Sequence, residues 1–322
     1  MLLLLLVVCD FLLVVVFVCE FVVVMNTDGL RRVLITGANR GIGLFLTQHI
    51  LRGHPDVFVF LGARSKEKGK GALETLPSEH LGRVEVLEID VGNDSSVKNA
   101  AKEIETKFPD EKHPLFGLVN NAGVNGVDTK QTMNINVFGV ERTTTAFAPL
   151  LVPDARRVVN VTSGAGVLFT ESCSPERQKF FLNQTGEPVT VTSITNFIET
   201  EIYPISEVGR VGDEEERKFA EKGLGKNNGK LMYGLSKALG NLLTIELSLR
   251  FPSLLVNACT PGLVETDMTR DMISKSGKTK EELEVVPREK STHSSLFLLF
   301  GDVKERGCFF RSDGVKCAMN KY

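Results

Sequence analysis

The sequence predicts an α/β fold, a doubly wound parallel sheet of seven strands with a helical insertion, and three observations carry that reading. Short apolar runs alternate with amphipathic stretches from Arg31 onward. The runs are continuously apolar rather than alternating with polar residues, as strands covered on both faces require. A glycine-rich turn, Thr36 to Gly43, joins the first run to the first amphipathic stretch. Strand-helix alternation favours parallel pairing, because each connection must cross a sheet face before the next strand can begin.

The candidate strands are 33–36, 57–62, 83–89, 116–120, 157–161, 254–258 and 307–310. Helical spacing is found near 42–52, 65–75, 94–108, 130–151 and 230–251. Residues 171–229 break the rhythm: they are polar and charged, with an acidic run from Asp213 to Glu216 and a glycine-rich stretch from Gly223 to Gly229. Ile194, Phe197 and Ile198 keep helical spacing inside this segment. A structureless loop of that length is uncommon within a compact domain, so a helical insertion over the ligand-binding edge of the sheet is expected.

The glycine turn reads Thr36-Gly37-Ala38-Asn39-Arg40-Gly41-Ile42-Gly43 after Val33-Leu34-Ile35. Glycines at this spacing let backbone approach a pyrophosphate, which then rests on the amides that open the next helix. After the second strand stands Arg64, where an acidic residue would select NAD through a ribose hydroxyl. With Arg40 it supplies two cations suited to a 2′-phosphate, so NADPH is the expected cofactor. Asp90-Val91 closes the third strand and Asn121-Ala122-Gly123 follows the fourth. Both turns lie at strand C-termini, where parallel sheets bind ligands, and Asp90 is expected beside the adenine edge.

The reaction centre is read from Ser163 and from Tyr233-Gly-Leu-Ser-Lys237. Tyr and Lys four residues apart share a helix face. A nearby ammonium is expected to lower the Tyr233 pKa, letting it exchange a proton with a substrate oxygen. Ser163 follows the strand ending at Val161 and is placed to hydrogen-bond the same oxygen.

Over residues 31–322 these motifs, in this order, resemble the short-chain dehydrogenase/reductase family, and most of all its monomeric NADPH-dependent carbonyl reductases. Those too carry a long insertion between Ser and Tyr, here 70 positions from Ser163 to Tyr233. Ser172-Cys173-Ser174-Pro175-Glu176 is similar to their sequence as well. The resemblance implies a Rossmann-type sheet and assigns roles. Tyr233 is the proton donor, Lys237 holds the nicotinamide ribose, and Ser163 polarises the carbonyl. Asn136, in Met133-Asn134-Ile135-Asn136-Val137-Phe138-Gly139, matches the helix-kink Asn that supports a proton relay. Pro261, Gly262, Val264 and Thr266 match the segment that contacts the nicotinamide amide, with Val264 and Thr266 as its contacts. The substrate implied is a small-molecule aldehyde, ketone or quinone. Because the insertion covers the helices through which most members pair, a monomer is implied too. Gly123 and Asn136 are only 13 positions apart, clearly fewer than the resemblance leads one to expect. The missing piece usually lines the substrate pocket, so its wall and the following helix are expected to differ.

Composition narrows the alternatives. A formal net charge of −2 gives no broad cationic surface for nucleic acid. The six cysteines show no metal-binding spacing and read as reduced thiols, which suits a cytoplasmic protein. Residues 1–25 are almost wholly apolar, broken by Asp10 and Glu20. They are long enough to cross a bilayer, and Arg31-Arg32 would keep the catalytic part on the cytosolic side. A secretory signal and a true translation start at Met25 are the other readings of this segment. The organisation expected is thus an apolar segment, 1–25, and one reductase domain, 26–322. Two further functions fit parts of the pattern. One is a membrane-anchored retinol-type dehydrogenase, favoured by the apolar segment; the other is a catalytically silent NADPH-binding sensor, favoured by the short connection after Gly123.

Overall fold

The computed structural model describes residues 3–9, 12–18, 29–125, 128–152, 157–206, 212–225 and 231–322. The predicted helix start at Lys230 lies outside them, as do Asp10, Cys19, Glu20, Met25 and residues 226–229 of the glycine-rich stretch. Strands β1 (Leu3–Cys9) and β2 (Leu12–Val18) pair antiparallel in a small sheet of their own. Among the described residues no helix is long and apolar enough to cross a membrane.

The main sheet contains β3 (Arg31–Ile35), β4 (Val57–Ala63), β5 (Val84–Glu88), β6 (Gly117–Asn120), β7 (Arg157–Val161), β8 (Leu255–Cys259), β9 (Phe309–Phe310) and β10 (Lys316–Cys317). Its order is β10-β9-β8-β7-β6-β3-β4-β5. The seven expected strands are all present and parallel, with ends shifted by one or two residues. The sheet has an eighth strand, β10, antiparallel to β9, so seven is corrected to eight. Two residues reading Lys-Cys carry no apolar pattern, and only pairing with Phe309 and Phe310 makes them a strand.

Alternate side chains leave opposite faces of each strand, which divides the core in two. Leu34, Phe58 and Phe60 enter one buried cluster, while Val33, Ile35, Val57, Val59 and Leu61 enter the other. Helices α1 (Gly41–Gly53) and α2 (Lys66–Leu73) carry the chain between the first strands. Helix α3 (Asp94–Lys107) returns it to β6, on the opposite side of β3. The connections therefore diverge between β3 and β6, and a crevice opens beyond Ile35 and Asn120.

The predicted helix near 130–151 is composite: α4 (Thr129–Met133), a π-helical turn (Asn134–Phe138) and α5 (Gly139–Phe147). The insertion is helical as expected, with α6 (Gly164–Ser172), α7 (Pro175–Phe181), α8 (Val191–Phe197), α9 (Tyr203–Ser206) and α10 (Gly212–Glu221). Phe169, Phe180, Phe181 and Phe197 interlock at centroid separations of 4.9 to 6.0 Å and give it an aromatic core. It packs against the long helix α11 (Leu231–Arg250), whereas α12 (Arg270–Lys275) and α13 (His293–Phe300) follow β8. Cys173, Cys259, Cys308 and Cys317 are free thiols. Burial pushes Cys173 up to about 12 and Cys259 to about 11, which makes both poor nucleophiles.

Candidate active site

The glycine turn closes the gap between β3 and α1 at the crevice. Gly37 has φ +62°, and a Cβ there would come 2.9 Å from the Ala122 backbone, so the turn demands glycine on both counts. Asn121 holds this loop: its side-chain amide donates to the Thr36 and Gly37 carbonyls at 2.9 and 3.1 Å. Gly43 lies behind the turn, where a Cβ would meet that amide at 2.5 Å. Helix α1 starts without a side-chain cap and with no acidic residue in its first turn. By contrast, Ser65, Asn93, Asp128 and Ser163 cap α2, α3, α4 and α6. The first amides of α1 therefore stay available to an anion.

These amides border a cavity of about 570 Å³ that runs from the glycine turn to Tyr233 and Lys237. Such a volume is within the usual range for a cofactor cleft. Gly37, Asn39, Arg40, Gly41 and Ile42 line it, with Arg64, Asp90 and Val91 from the neighbouring strand ends. Asn121, Ala122, Gly123, Pro261 and Thr266 complete the expected wall. Gly43, Gly262 and Val264 are not on it: Val264 is buried, and a Cβ at Gly262 would strike Val286. Asp90 uses one carboxylate oxygen to accept from the Gly92 amide at 2.9 Å, which shapes its own turn. Arg40 and Arg64 are both exposed; Arg40 faces Asp267 across 3.7 Å.

Ser163 follows β7 and caps α6, accepting from the Ala165 amide at 3.1 Å. Tyr233 and Lys237 lie one turn apart on α11, with Lys237 Nζ 5.6 Å from the centre of the Tyr233 ring. Lys237 donates to the Val161 carbonyl at 3.2 Å, tying α11 to the end of β7. Burial pushes the Tyr233 phenol up, and the Ser163 hydroxyl, hydrogen-bonded to it, acts in the opposite direction. The expected lowering of Tyr233 by Lys237 is thus corrected. Lys237 is itself buried, and that burial brings its ammonium down to about 8. Loss of water outweighs the charge beside it.

Asn136 sits in the π-helical turn and is buried. Its side chain accepts from the Val124 amide and donates to the Val124 carbonyl, each at 2.9 Å, and also donates to Ser236 Oγ at 2.9 Å. A Cβ on Gly123 would lie 3.3 Å from Asn136 and 3.4 Å from Lys237 Nζ, so these three residues converge. The short connection after Gly123 is closed by this two-way clamp. Neither Asn136 nor Ser163 lines the cavity.

Sequence reasoning missed Val124, Asn125, Gln131, Asp267 and Met268, all of which do line it. Asp267 belongs to the run from Pro261 and Met268 follows it, so nearness to a motif was a usable signal for these two. Gln131 lies within the shortened connection, where residue type alone gives no direction.

Comparison with known proteins bears on the family and the fold. A family model for short chain dehydrogenases matches residues 31–174. Short-chain dehydrogenase/reductase 1 of Saponaria officinalis is 30% identical over 274 residues, covering 75% of this chain and 84% of that one. Carbonyl reductase (NADPH) 1 of Homo sapiens is 31% identical over 278 residues, covering 80% and 91%. The NADPH-bound carbonyl reductase from chicken fatty liver has the same fold, with a TM-score of 0.62 at 23% identity over 90% of this chain and 99% of its own. With relatives at this identity spanning most of both chains, and with the glycine turn, Ser163, Tyr233 and Lys237 gathered around one crevice, the protein belongs to the short-chain dehydrogenase/reductase family of oxidoreductases.

Proposed function

We propose that the protein is an NADPH-dependent carbonyl reductase acting on aldehydes, ketones or quinones, with Tyr233 as proton donor. The observation that carries this reading is one continuous cavity with open helix amides and a glycine turn at one side and Tyr233 and Lys237 at the other. When bound, NADPH supplies the hydride that the carbonyl carbon accepts. The oxygen then gains charge, and the Tyr233 hydroxyl gives it a proton. A raised phenol pKa suits this direction, because Tyr233 stays protonated until an alkoxide, a far stronger base, develops beside it. Ser163 orients the oxygen, and Lys237 holds ribose hydroxyls at the cavity floor. Residues 26–322 act as one reductase domain, and the insertion against α11 keeps it monomeric. The test is NADPH oxidation against quinones, aromatic aldehydes and ketoesters. Carbonyl-dependent oxidation is expected; NADPH binding with no turnover anywhere in the panel overturns the reading.

Cofactor choice rests on Arg40 and Arg64. Arg64→Glu is expected to weaken NADPH binding about tenfold, because a bidentate cation for phosphate becomes a like charge. NADH, which lacks that phosphate, should be little affected. Fluorescence titration of both cofactors checks this, and equal weakening of the two would assign Arg64 no part in the choice.

Lys237 gives the protein a pH signature. Its folded-state pKa is about 8, against 10.5 for an unperturbed lysine. Between these values the unfolded chain holds a proton that the folded chain has shed, so rising pH favours folding. Below about 8 both states are charged and the whole cost of burial is felt. Lys237→Met is therefore expected to raise the melting temperature of the cofactor-free protein at pH 7, with a gain that shrinks as pH climbs past 8. A gain independent of pH would mean that Lys237 is not buried as a charge.

A further inference from the structure

Beyond the cavity, the structure places one more aromatic ring against Gly164, the residue after Ser163. After β10 the chain is pinned at several points. Ala318 and Lys321 form a bridge, and Cys317 Sγ donates to the Lys321 carbonyl at 2.8 Å. Met319 is buried with Val167 of α6, and Asn320 donates to Gln178 of α7 at 3.3 Å. These contacts hold Tyr322 over the first turn of α6. A Cβ on Gly164 would lie 2.8 Å from Tyr322 Cε2, 3.0 Å from Cζ and 3.3 Å from the hydroxyl. Gly164 directly follows Ser163, so the phenol ring covers the backbone next to the hydroxyl that faces Tyr233. Tyr322 is 49% exposed: part of its surface rests on α6 and the rest remains free.

Resting on the carbonyl reductase reading, we propose that Tyr322 is a specificity-determining residue. Its ring forms the wall along which a substituent of the carbonyl lies beside Ser163, and it favours planar aromatic carbonyl compounds over aliphatic ones of similar size. A flat ring can stack on, or meet edgewise, the free part of the phenol, whereas a puckered ring makes fewer contacts. Gly164 is part of the device, since any larger residue would push Tyr322 off α6.

Acetophenone and cyclohexyl methyl ketone are matched in size and differ in planarity, so they form the test pair. Affinity is measured calorimetrically for the protein–NADP⁺ complex, which cannot reduce them, and KM and kcat are measured with NADPH. Tyr322→Ala is expected to weaken acetophenone binding and raise its KM about tenfold with kcat little changed. Cyclohexyl methyl ketone should shift by no more than about twofold, and Tyr322→Phe should match the wild type. Gly164→Ala should shift acetophenone in the same direction as Tyr322→Ala. Unchanged NADP⁺ affinity reports that each variant is folded. Equal effects on both ketones, or none, overturn the proposal, as does a wild type that binds neither or shows no aromatic preference. Tyr322-dependent acetophenone binding without any turnover would support the wall and overturn the carbonyl reductase reading. Turnover indifferent to Tyr322 would do the reverse.

Discussion

Replacing Tyr233 with Phe is expected to slow carbonyl reduction by roughly 10²–10⁴-fold, the usual worth of a positioned general acid, while NADPH affinity stays close to wild type. The two halves of this expectation have separate causes. Phe keeps the ring, so the packing of α11 and the 5.6 Å approach of Lys237 to that ring survive. Only the hydroxyl hydrogen-bonded to Ser163 is removed. NADPH titration followed by steady-state kinetics separates the outcomes. A rate within a few-fold of wild type would mean that the proton comes from another group. Loss of cofactor binding would instead show that the phenol is a structural element of the cleft.

Gly166→Ala is expected to cost roughly 1–3 kcal/mol of stability and to reduce activity out of proportion to that loss. Helix α6 crosses α11 at this residue. A Cβ there would come within 2.6 Å of the Lys237 carbonyl carbon, 2.7 Å of the Ala238 nitrogen and 2.8 Å of the Lys237 oxygen. All three atoms are backbone and cannot rotate away, so the helices must separate. Helix α6 is capped by Ser163 and α11 carries Tyr233 and Lys237, so separation moves Ser163 away from the two residues proposed to act with it. Gly71→Ala in α2 is the control, with nothing within 4 Å of an added Cβ. It should stabilise by roughly 0.4–1 kcal/mol through the unfolded chain and leave activity unchanged. Thermal melts and kinetics on both variants check the pair. If Gly166→Ala melts and turns over as wild type does, the two helices are less closely engaged than the structure shows.

Much of the frame was legible from residue order. Seven apolar runs of strand length announced seven parallel strands, and the glycines between Thr36 and Gly43 marked a turn whose backbone comes close to the residues after a neighbouring strand. The spacing of Tyr233 and Lys237 placed both on one face of α11, because helical geometry is local. The insertion could be recognised as helical from its length and from the spacing of Ile194, Phe197 and Ile198. Its packing could not: the interlocked Phe169, Phe180, Phe181 and Phe197 come from three helices, α6, α7 and α8, that meet only in the folded chain.

The sequence by itself determined the alternation of strands and helices, the glycine turn and the shared helix face of Tyr233 and Lys237, since each depends on neighbours a few residues away. The tertiary structure alone decided how those groups behave. Burial, a property of the whole packed chain, raises Tyr233 and brings Lys237 down to about 8, against the direction that their pairing on one helix suggested for the tyrosine. Position in space likewise recruited Gln131 and Asp267 to the cleft, and it carried Tyr322 across 158 positions (322 less 164) to rest on Gly164. Distance along a chain says nothing about such contacts, because they are set by which faces of the sheet and its helices must be covered to keep apolar surface from water.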